Sequence, residues 1–386
     1  MTRVRLPGRQ TGIEDYTVVS RGGLPVPQGT PRSRVAFAAA HVVADPLGDN
    51  TPGMPAVVDW DSTLAFRRHL WSYGFGLAEA MDTAQRGMGL DWPTTQELVS
   101  RSAAEAASLG ARIAAGAGTD HAPAGLDGVS DVLAAYEEQL EFVESTGAQA
   151  IVMASRQLAR VARGVDDYRA VYDKLLAQAQ APVILHWLGT AFDPALQGYW
   201  GSPDVATATA AFLDLVRENA DRVDGVKVSL LDADHEKALR AALPAGVRLY
   251  TGDDFNYPEL IAGDGTHHSD ALLGIFAAIA PLASQALHAL DRGDDAAYAA
   301  AFEPTLPLAR HVFAAPTFYY KTGIAFLAWL SGMQPGFTMV GGLQSARSIR
   351  HLAETFRLAD QANMLPDPEL AVRRMESLLD VAGLPR

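Results

Sequence analysis

Val223-Asp-Gly-Val-Lys-Val-Ser229 is a short apolar run, rich in β-branched residues, with Lys227 inside it. A glycine precedes the lysine and Leu230-Leu231-Asp232 follows the run. Such a stretch reads as a strand buried on both faces, as in a parallel sheet. Lysine is seldom fully buried without a reason. An ammonium in an apolar site loses hydration, and its pKa falls toward neutrality. The free amine that results is able to attack a carbonyl and form a Schiff base. The plainer reading is a lysine at a strand end, its head in water or paired with Asp224 or Asp253.

Outward from this strand the chain alternates. Upstream strand candidates are Arg34 to Ala44, Leu77 to Asp82, Ala111 to Gly118, Ala148 to Met153 and Pro182 to Trp187. Downstream are Val247 to Thr251 and a segment near Ala271 to Phe276. Helical patterns fall between most of them, starting at Asp61 and near Thr94 and covering 128–145, 165–180, 203–219 and 234–242. Eight strands alternating with helices predict a closed (β/α)8 TIM barrel rather than an open sheet. Residues 1–33 lack helical periodicity and read as a hairpin or arm, 34–284 as the barrel, and 285–386 as an appended C-terminal helical domain.

Totals narrow the function classes. A chain of 386 residues, 48% hydrophobic, is large enough for one big domain with appendages. A net charge of −14 supplies no basic face for nucleic acid. The absence of cysteine excludes disulfides and thiolate metal sites. No signal-peptide core and no membrane-length apolar run is present, so a cytoplasmic enzyme without membrane contact is expected.

With the flanking motifs in view, the lysine strand resembles the Schiff-base strand of the dihydrodipicolinate synthase and N-acetylneuraminate lyase superfamily, class I aldolases. Val58-Asp-Trp-Asp-Ser-Thr-Leu64 resembles that family's first helix start, and Ala115-Gly-Ala-Gly-Thr119 its third strand end. Ala181-Pro-Val-Ile-Leu-His186 is similar to the fifth strand, and Tyr250-Thr-Gly-Asp-Asp254 with Ala262-Gly-Asp-Gly265 to the seventh strand and the next turn. The segment from Phe318 to Leu327 resembles the family's C-terminal region. The resemblance implies a TIM barrel, a covalent lysine imine with no other cofactor, a small-molecule substrate, and a homo-oligomer, dimer or tetramer. Two departures mark a divergent branch. Met81-Asp-Thr-Ala-Gln85 stands where the family carries Gly-Thr-Thr-Gly-Glu, and Ala154-Ser-Arg-Gln157 where it carries a proton-relaying tyrosine.

Reacting groups in a TIM barrel project from the C-terminal strand ends. Here those ends carry His41 or Asp45, then Glu79, Asp82 and Thr83, then Asp120 and His121, and then Ser155, Arg156 and Gln157. His186, Lys227, and finally Asp253, Asp254 and Asn256 complete the rim. His186 ends the strand before the lysine strand, and an imidazole titrates where proton shuttling is useful. Arg156, Arg160 and Arg163 share a face if their segment is helical, and Arg156 is the one best placed to fork a substrate acid group. The first expectation is therefore a Schiff-base-forming lyase or aldolase acting on a small 2-oxo acid or sugar-derived keto compound. Lys227 forms the imine, His186 moves protons, Arg156 or Thr83 holds the acid group and Asp253 supports the lysine, with Thr83, Asp82, Arg156, Asp253 and Asp254 as the expected substrate-binding residues. The alternative is a divalent-metal-dependent isomerase, hydratase or epimerase, with Glu79, His121, His186 and Asp254 as ligands. A third reading is a sugar-acid binder without chemistry. Tyr319, Tyr320 and Lys321 read as helix packing, on a helix able to cover the barrel mouth.

Overall fold

The β-branched and alanine-rich runs form the strands that the alternation calls for. In the computed structural model, residues 2–27 and 29–384 are described; residues 1, 28, 385 and 386, which the expected arm and C-terminal unit include, lie outside them. The strands are β1 (Arg3–Pro7), β2 (Ile13–Thr17), β3 (Ala36–Ala39), β4 (Gly76–Glu79), β5 (Ile113–Ala117), β6 (Gln149–Val152), β7 (Val183–Leu188), β8 (Val223–Ser229), β9 (Arg248–Thr251) and β10 (Asp270–Leu273). Strands β3 to β10 pair in parallel and close into a barrel in the order β10-β3-β4-β5-β6-β7-β8-β9. This is the expected TIM barrel.

Period-two alternation sorts each strand into an inner and an outer face. Phe37, Ala39, Ala78, Ala114, Ile151, Ile184, Tyr250 and Leu272 fill the barrel interior. Leu185, Trp187, Val226, Val228 and Leu249 face the surrounding helices instead. The register pairs His186 with Lys227 and Lys227 with Tyr250, so all three share the inner face.

The helices begin as the sequence asks. Asp59, Asp91, Asp204 and Asp232 each cap a helix, accepting a hydrogen bond from the backbone N–H three residues on. No helix among the described residues is long and apolar enough to cross a membrane. The antiparallel β1–β2 hairpin is fastened to the C-terminal helices. Asp360, on the helix Ile349–Gln361, accepts from Tyr16 Oη at 2.7 Å and from the backbone of Val19 and Ser20. The helix Phe276–Asp291 runs across residues 284 and 285, between the barrel and the helical unit. The helix Tyr320–Leu330 is buried along its whole length, and its first turn meets the loop that follows β4.

Candidate active site

Lys227 lies at the fifth position of β8 with 8% of its surface exposed. Among the described residues no carboxylate oxygen comes within 4.0 Å of its Nζ, and it makes no hydrogen bond. Burial pushes its pKa down from the ordinary lysine range, while the carboxylates of Asp254 and Asp82 pull it back up. Room for the side chain comes from Gly252, just past β9. A Cβ there would stand 2.9 Å from Lys227 Cε and 2.1 Å from Ser229 Oγ.

His186 is the neighbour across the β7–β8 ladder, 3% exposed, with Nε2 3.2 Å from Ser229 Oγ. Burial, then the charge of Lys227, hold its pKa well below the usual histidine range. This places its titration below the range expected from the sequence and favours the neutral imidazole, with a lone pair to offer.

Asp253 and Asp254 divide their work. Asp253 accepts from the backbone of Phe255 and Asn256 and from Asn256 Nδ2, so it shapes the turn. Asp254 is the one that acts on Lys227; burial pushes its carboxyl up, and the N–H of Ile275, 2.9 Å away, draws it back. The anticipated pairing of Lys227 with Asp253 or Asp224 is not formed. Asp224 instead binds Arg248 at 2.9 Å and Tyr250 Oη at 2.7 Å.

The loop after β4 turns at Ala80, whose φ of 50° is unusual for a residue with a Cβ. It delivers Met81 and the short turn Asp82–Ala84 to the barrel mouth. Asp82 Oδ1 accepts from Lys321 Nζ at 2.9 Å, and Thr83 Oγ1 lies 2.6 Å from Tyr320 Oη. Both partners come from the C-terminal helix. Burial raises the Tyr320 phenol well above its ordinary pKa and lowers the Lys321 ammonium below its own. Read from the sequence as helix packing, these two residues are indeed buried in the helix, and their polar tips also bond the turn at the barrel mouth. The signal available was the run Phe318-Tyr-Tyr-Lys321, polar tips at the start of an otherwise apolar helix.

A cavity of about 700 Å³ opens beside these groups, lined among others by Asp82, Thr119, Ser155, Arg156, His186 and Asp193. Lys227 is not part of its lining but adjoins His186, which is. Arg156 Nε donates to Asp193 Oδ2 at 2.5 Å and its side chain is 45% exposed, leaving the outer fork open. Arg160 donates to the Leu126 carbonyl. The helix carrying them ends at Val161, so Arg163 lies off that face and pairs with Asp167. Arg86, which sequence reading passed over, is buried beside the cavity. It pairs with Asp120 and donates to the carbonyls of Ala80 and Gly116 at 3.1 Å, locking the ends of β4 and β5 together.

The four alternative metal ligands do not converge. Glu79 points outward from β4 and forms a bidentate pair with Arg67 at 2.9 Å, both side chains fully buried. His121 is held by Glu138 and Gln139 and packs against Trp92. Only His186 and Asp254 remain near the lysine. Among the described residues no group of three His, Asp or Glu side chains is arranged to hold a metal ion. His41 is likewise internal, with Nε2 2.7 Å from Gln334 Oε1.

Residues 4–384 match the family model described as "Protein of unknown function (DUF993)". A comparison with curated proteins finds no match. Solved structures share the fold at low identity. Dihydrodipicolinate synthase from Bacteroides thetaiotaomicron is 13% identical, with a TM-score of 0.64 over 87% of this chain and 98% of that one. A prophage protein of the dihydrodipicolinic acid synthase family from E. coli K12, solved in complex with pyruvate, is 14% identical, with a TM-score of 0.62 over 91% and 99%. Dihydrodipicolinate synthase from Oceanobacillus iheyensis is 14% identical, with a TM-score of 0.61 over 84% and 96%. The solved dihydrodipicolinate synthases share its fold, and the chain belongs to the family described as protein of unknown function, DUF993.

Proposed function

We propose that the protein is a class I, Schiff-base-forming lyase or aldolase acting on a 2-oxo acid or sugar-derived keto compound. One observation carries the reading: a buried amine on the inner face of the barrel with no carboxylate, among the described residues, within ion-pair distance. A structural lysine in that position would carry an ion pair, as Lys321 does with Asp82.

The Lys227 amine adds to a keto carbon to give a carbinolamine, and loss of water gives the imine. Once protonated, the imine nitrogen draws the electron pair of an adjacent C–C or C–O bond, which breaks. The enamine left behind is reprotonated, and water releases the product and the lysine. His186 takes the proton that the attacking amine sheds and passes it to the alkoxide oxygen, which completes the carbinolamine and returns the imidazole to its neutral form. Asp254 stabilises the cationic iminium nitrogen, taking the part that the sequence assigned to Asp253. No further cofactor is required for these steps.

The cavity is roomy for such a site, since small-molecule pockets run from about 300 to 1,000 Å³. A three-carbon keto acid would leave much of its roughly 700 Å³ unfilled, so the second reactant or the leaving fragment is the longer piece. Arg156, at the outer wall, is suited to a carboxylate or phosphate on that fragment. The solved prophage protein holds pyruvate, and pyruvate is the first compound to offer this one. Incubation with pyruvate and related 2-oxo acids, followed by borohydride, should add the mass of the reduced adduct to the Lys227 peptide. A protein that gains no mass with any of them is not a Schiff-base enzyme for this class.

A further inference from the structure

The helix Tyr320–Leu330 is buried on every side, yet its first two residues are a phenol and an ammonium. Burying such groups is unfavourable unless they are bonded. Lys321 has an obvious structural partner in Asp82. Tyr320 has a different kind of environment. Its ring is stacked on Phe313 with centroids 4.3 Å apart, and its edge lies so close to Gly274 that a Cβ there would stand 3.0 Å from Cε2. Its hydroxyl meets the Thr83 hydroxyl at 2.6 Å, a bond in which either oxygen is able to donate. The two carboxylates that act on Lys227, Asp254 and Asp82, also act on Tyr320. Contacts say the same: Ile275, next to the Gly274 that the ring touches, donates to Asp254, and Lys321, next to Tyr320, donates to Asp82, so the phenol lies beside both carboxylates.

Any imine cycle needs a group that gives a proton and then takes one. His186 is held neutral, so its imidazole has no acidic proton to give. Asp253 is consumed by the turn it shapes. Lys321 is fixed on Asp82. Resting on the Schiff-base reading, we propose that Tyr320, delivered by the C-terminal helical unit, is the acid–base group of the imine cycle and that Thr83 holds its hydroxyl for that work.

The steps balance without a co-reactant. In the carbinolamine on Lys227, the phenol proton passes to the hydroxyl. The C–O bond breaks toward oxygen and water leaves. The nitrogen lone pair forms C=N, giving an iminium beside a phenolate. The phenolate then takes a proton from the carbon next to the iminium carbon. That C–H pair becomes the C=C bond of the enamine, the nitrogen regains its lone pair, and the phenol is restored. Thr83 Oγ1–H donates to the phenolate oxygen while it carries charge, and accepts from the phenol at other times. Barrel and helical unit would each supply half of the chemistry.

The test uses the full chain with pyruvate, 2-oxobutyrate and 2-oxoglutarate in D2O. Two quantities are read: borohydride trapping on Lys227 at equilibrium, and deuterium entering the carbon next to the keto group, followed by NMR. Wild type should trap at least one acid and exchange it. Tyr320→Phe should still trap, with exchange slowed about 100-fold or more, the range typical of a lost general acid–base group. Thr83→Val, which leaves the Tyr320 stack on Phe313 intact, should slow exchange about tenfold, and Thr83→Ser should restore it to within about threefold. Tyr320→Phe or Thr83→Val exchanging as fast as wild type, with trapping intact, overturns the role given to Tyr320 and leaves the Schiff base standing. Wild-type trapping with no exchange overturns it equally. A wild type that traps none of the acids removes the Schiff-base reading, and this role with it.

Discussion

Lys321 reaches Asp82 across 239 positions of sequence, its Nζ 2.9 Å from Oδ1, with no part of the lysine side chain exposed and a quarter of the aspartate's. The bond pins the start of the C-terminal helix Tyr320–Leu330 to the turn beyond β4 and so closes one side of the barrel mouth. Removing one partner of a buried pair leaves the other uncompensated. Lys321→Met should lower stability by about 2 kcal/mol, less than for a fully buried pair because Asp82 keeps contact with water. Adding Asp82→Asn should recover part of that loss, so the double variant should be more stable than the two single effects summed. Chemical denaturation of the four proteins checks this.

Trapping should follow the ionisation of Lys227. Only the free amine adds to a keto group, and burial holds the Lys227 pKa below the ordinary lysine value. The rate of imine formation should therefore rise with pH and level off well before the range of an exposed lysine. Asp254 acts in the opposite sense, raising the lysine pKa. In Asp254→Asn the midpoint should move to lower pH by about one unit, equivalent to about 1.4 kcal/mol. A midpoint that stays put or rises would separate Asp254 from the lysine.

Gly252 is a steric gate for the lysine rather than a flexible joint. Its missing Cβ would collide with Ser229 Oγ, the Val228 carbonyl and Lys227 Cε, at 2.1, 2.8 and 2.9 Å. Gly252→Ala should cost about 1–3 kcal/mol through overpacking and slow trapping by displacing the amine. Unchanged trapping kinetics would show that the lysine does not depend on this space.

Much of this was legible in the primary structure, and the limits have physical causes. The eight strands are short, β-branched or alanine-rich, and set apart by capped helices, so local pattern was enough to place them. Once Lys227 was on a strand, strand order placed His186 beside it. The same alternation excludes Glu79 from the barrel interior: with Ala78 facing inward, Glu79 has to face the helices, where Arg67 takes it. The choice between Asp253 and Asp254 depends on how one turn is wound, which adjacent carboxylates do not disclose. Tyr320 and Lys321 reach Thr83 and Asp82 only because the C-terminal helix packs end-on against the barrel, a contact between distant segments that no local spacing encodes.

Glu236 offers a readout of stability through a carboxyl that takes no part in the proposed chemistry. It lies on the outer side of β9, accepting from Thr251 Oγ1 at 3.0 Å and Ser269 Oγ at 2.8 Å, and burial pushes its pKa up to about 8. A carboxyl whose folded pKa is raised stabilises the fold fully below its unfolded pKa, near 4.5. That contribution is lost as pH rises through about 8. Glu236→Gln should remove this loss, so that the variant gains on wild type by a few kcal/mol, on the order of 1.4 per pKa unit, between pH 5 and 9. Parallel pH curves of the melting temperature for both proteins would contradict it.

The most direct measurement of the central claim is peptide mapping by mass spectrometry after borohydride reduction in the presence of pyruvate and longer 2-oxo acids. The account requires one reduced adduct, on the peptide carrying Lys227, absent from Lys227→Ala and undiminished in a control such as Lys237→Ala, whose amine is an exposed ion-pair partner of Glu259. Adducts spread over surface lysines, or an adduct that survives in Lys227→Ala, would contradict it.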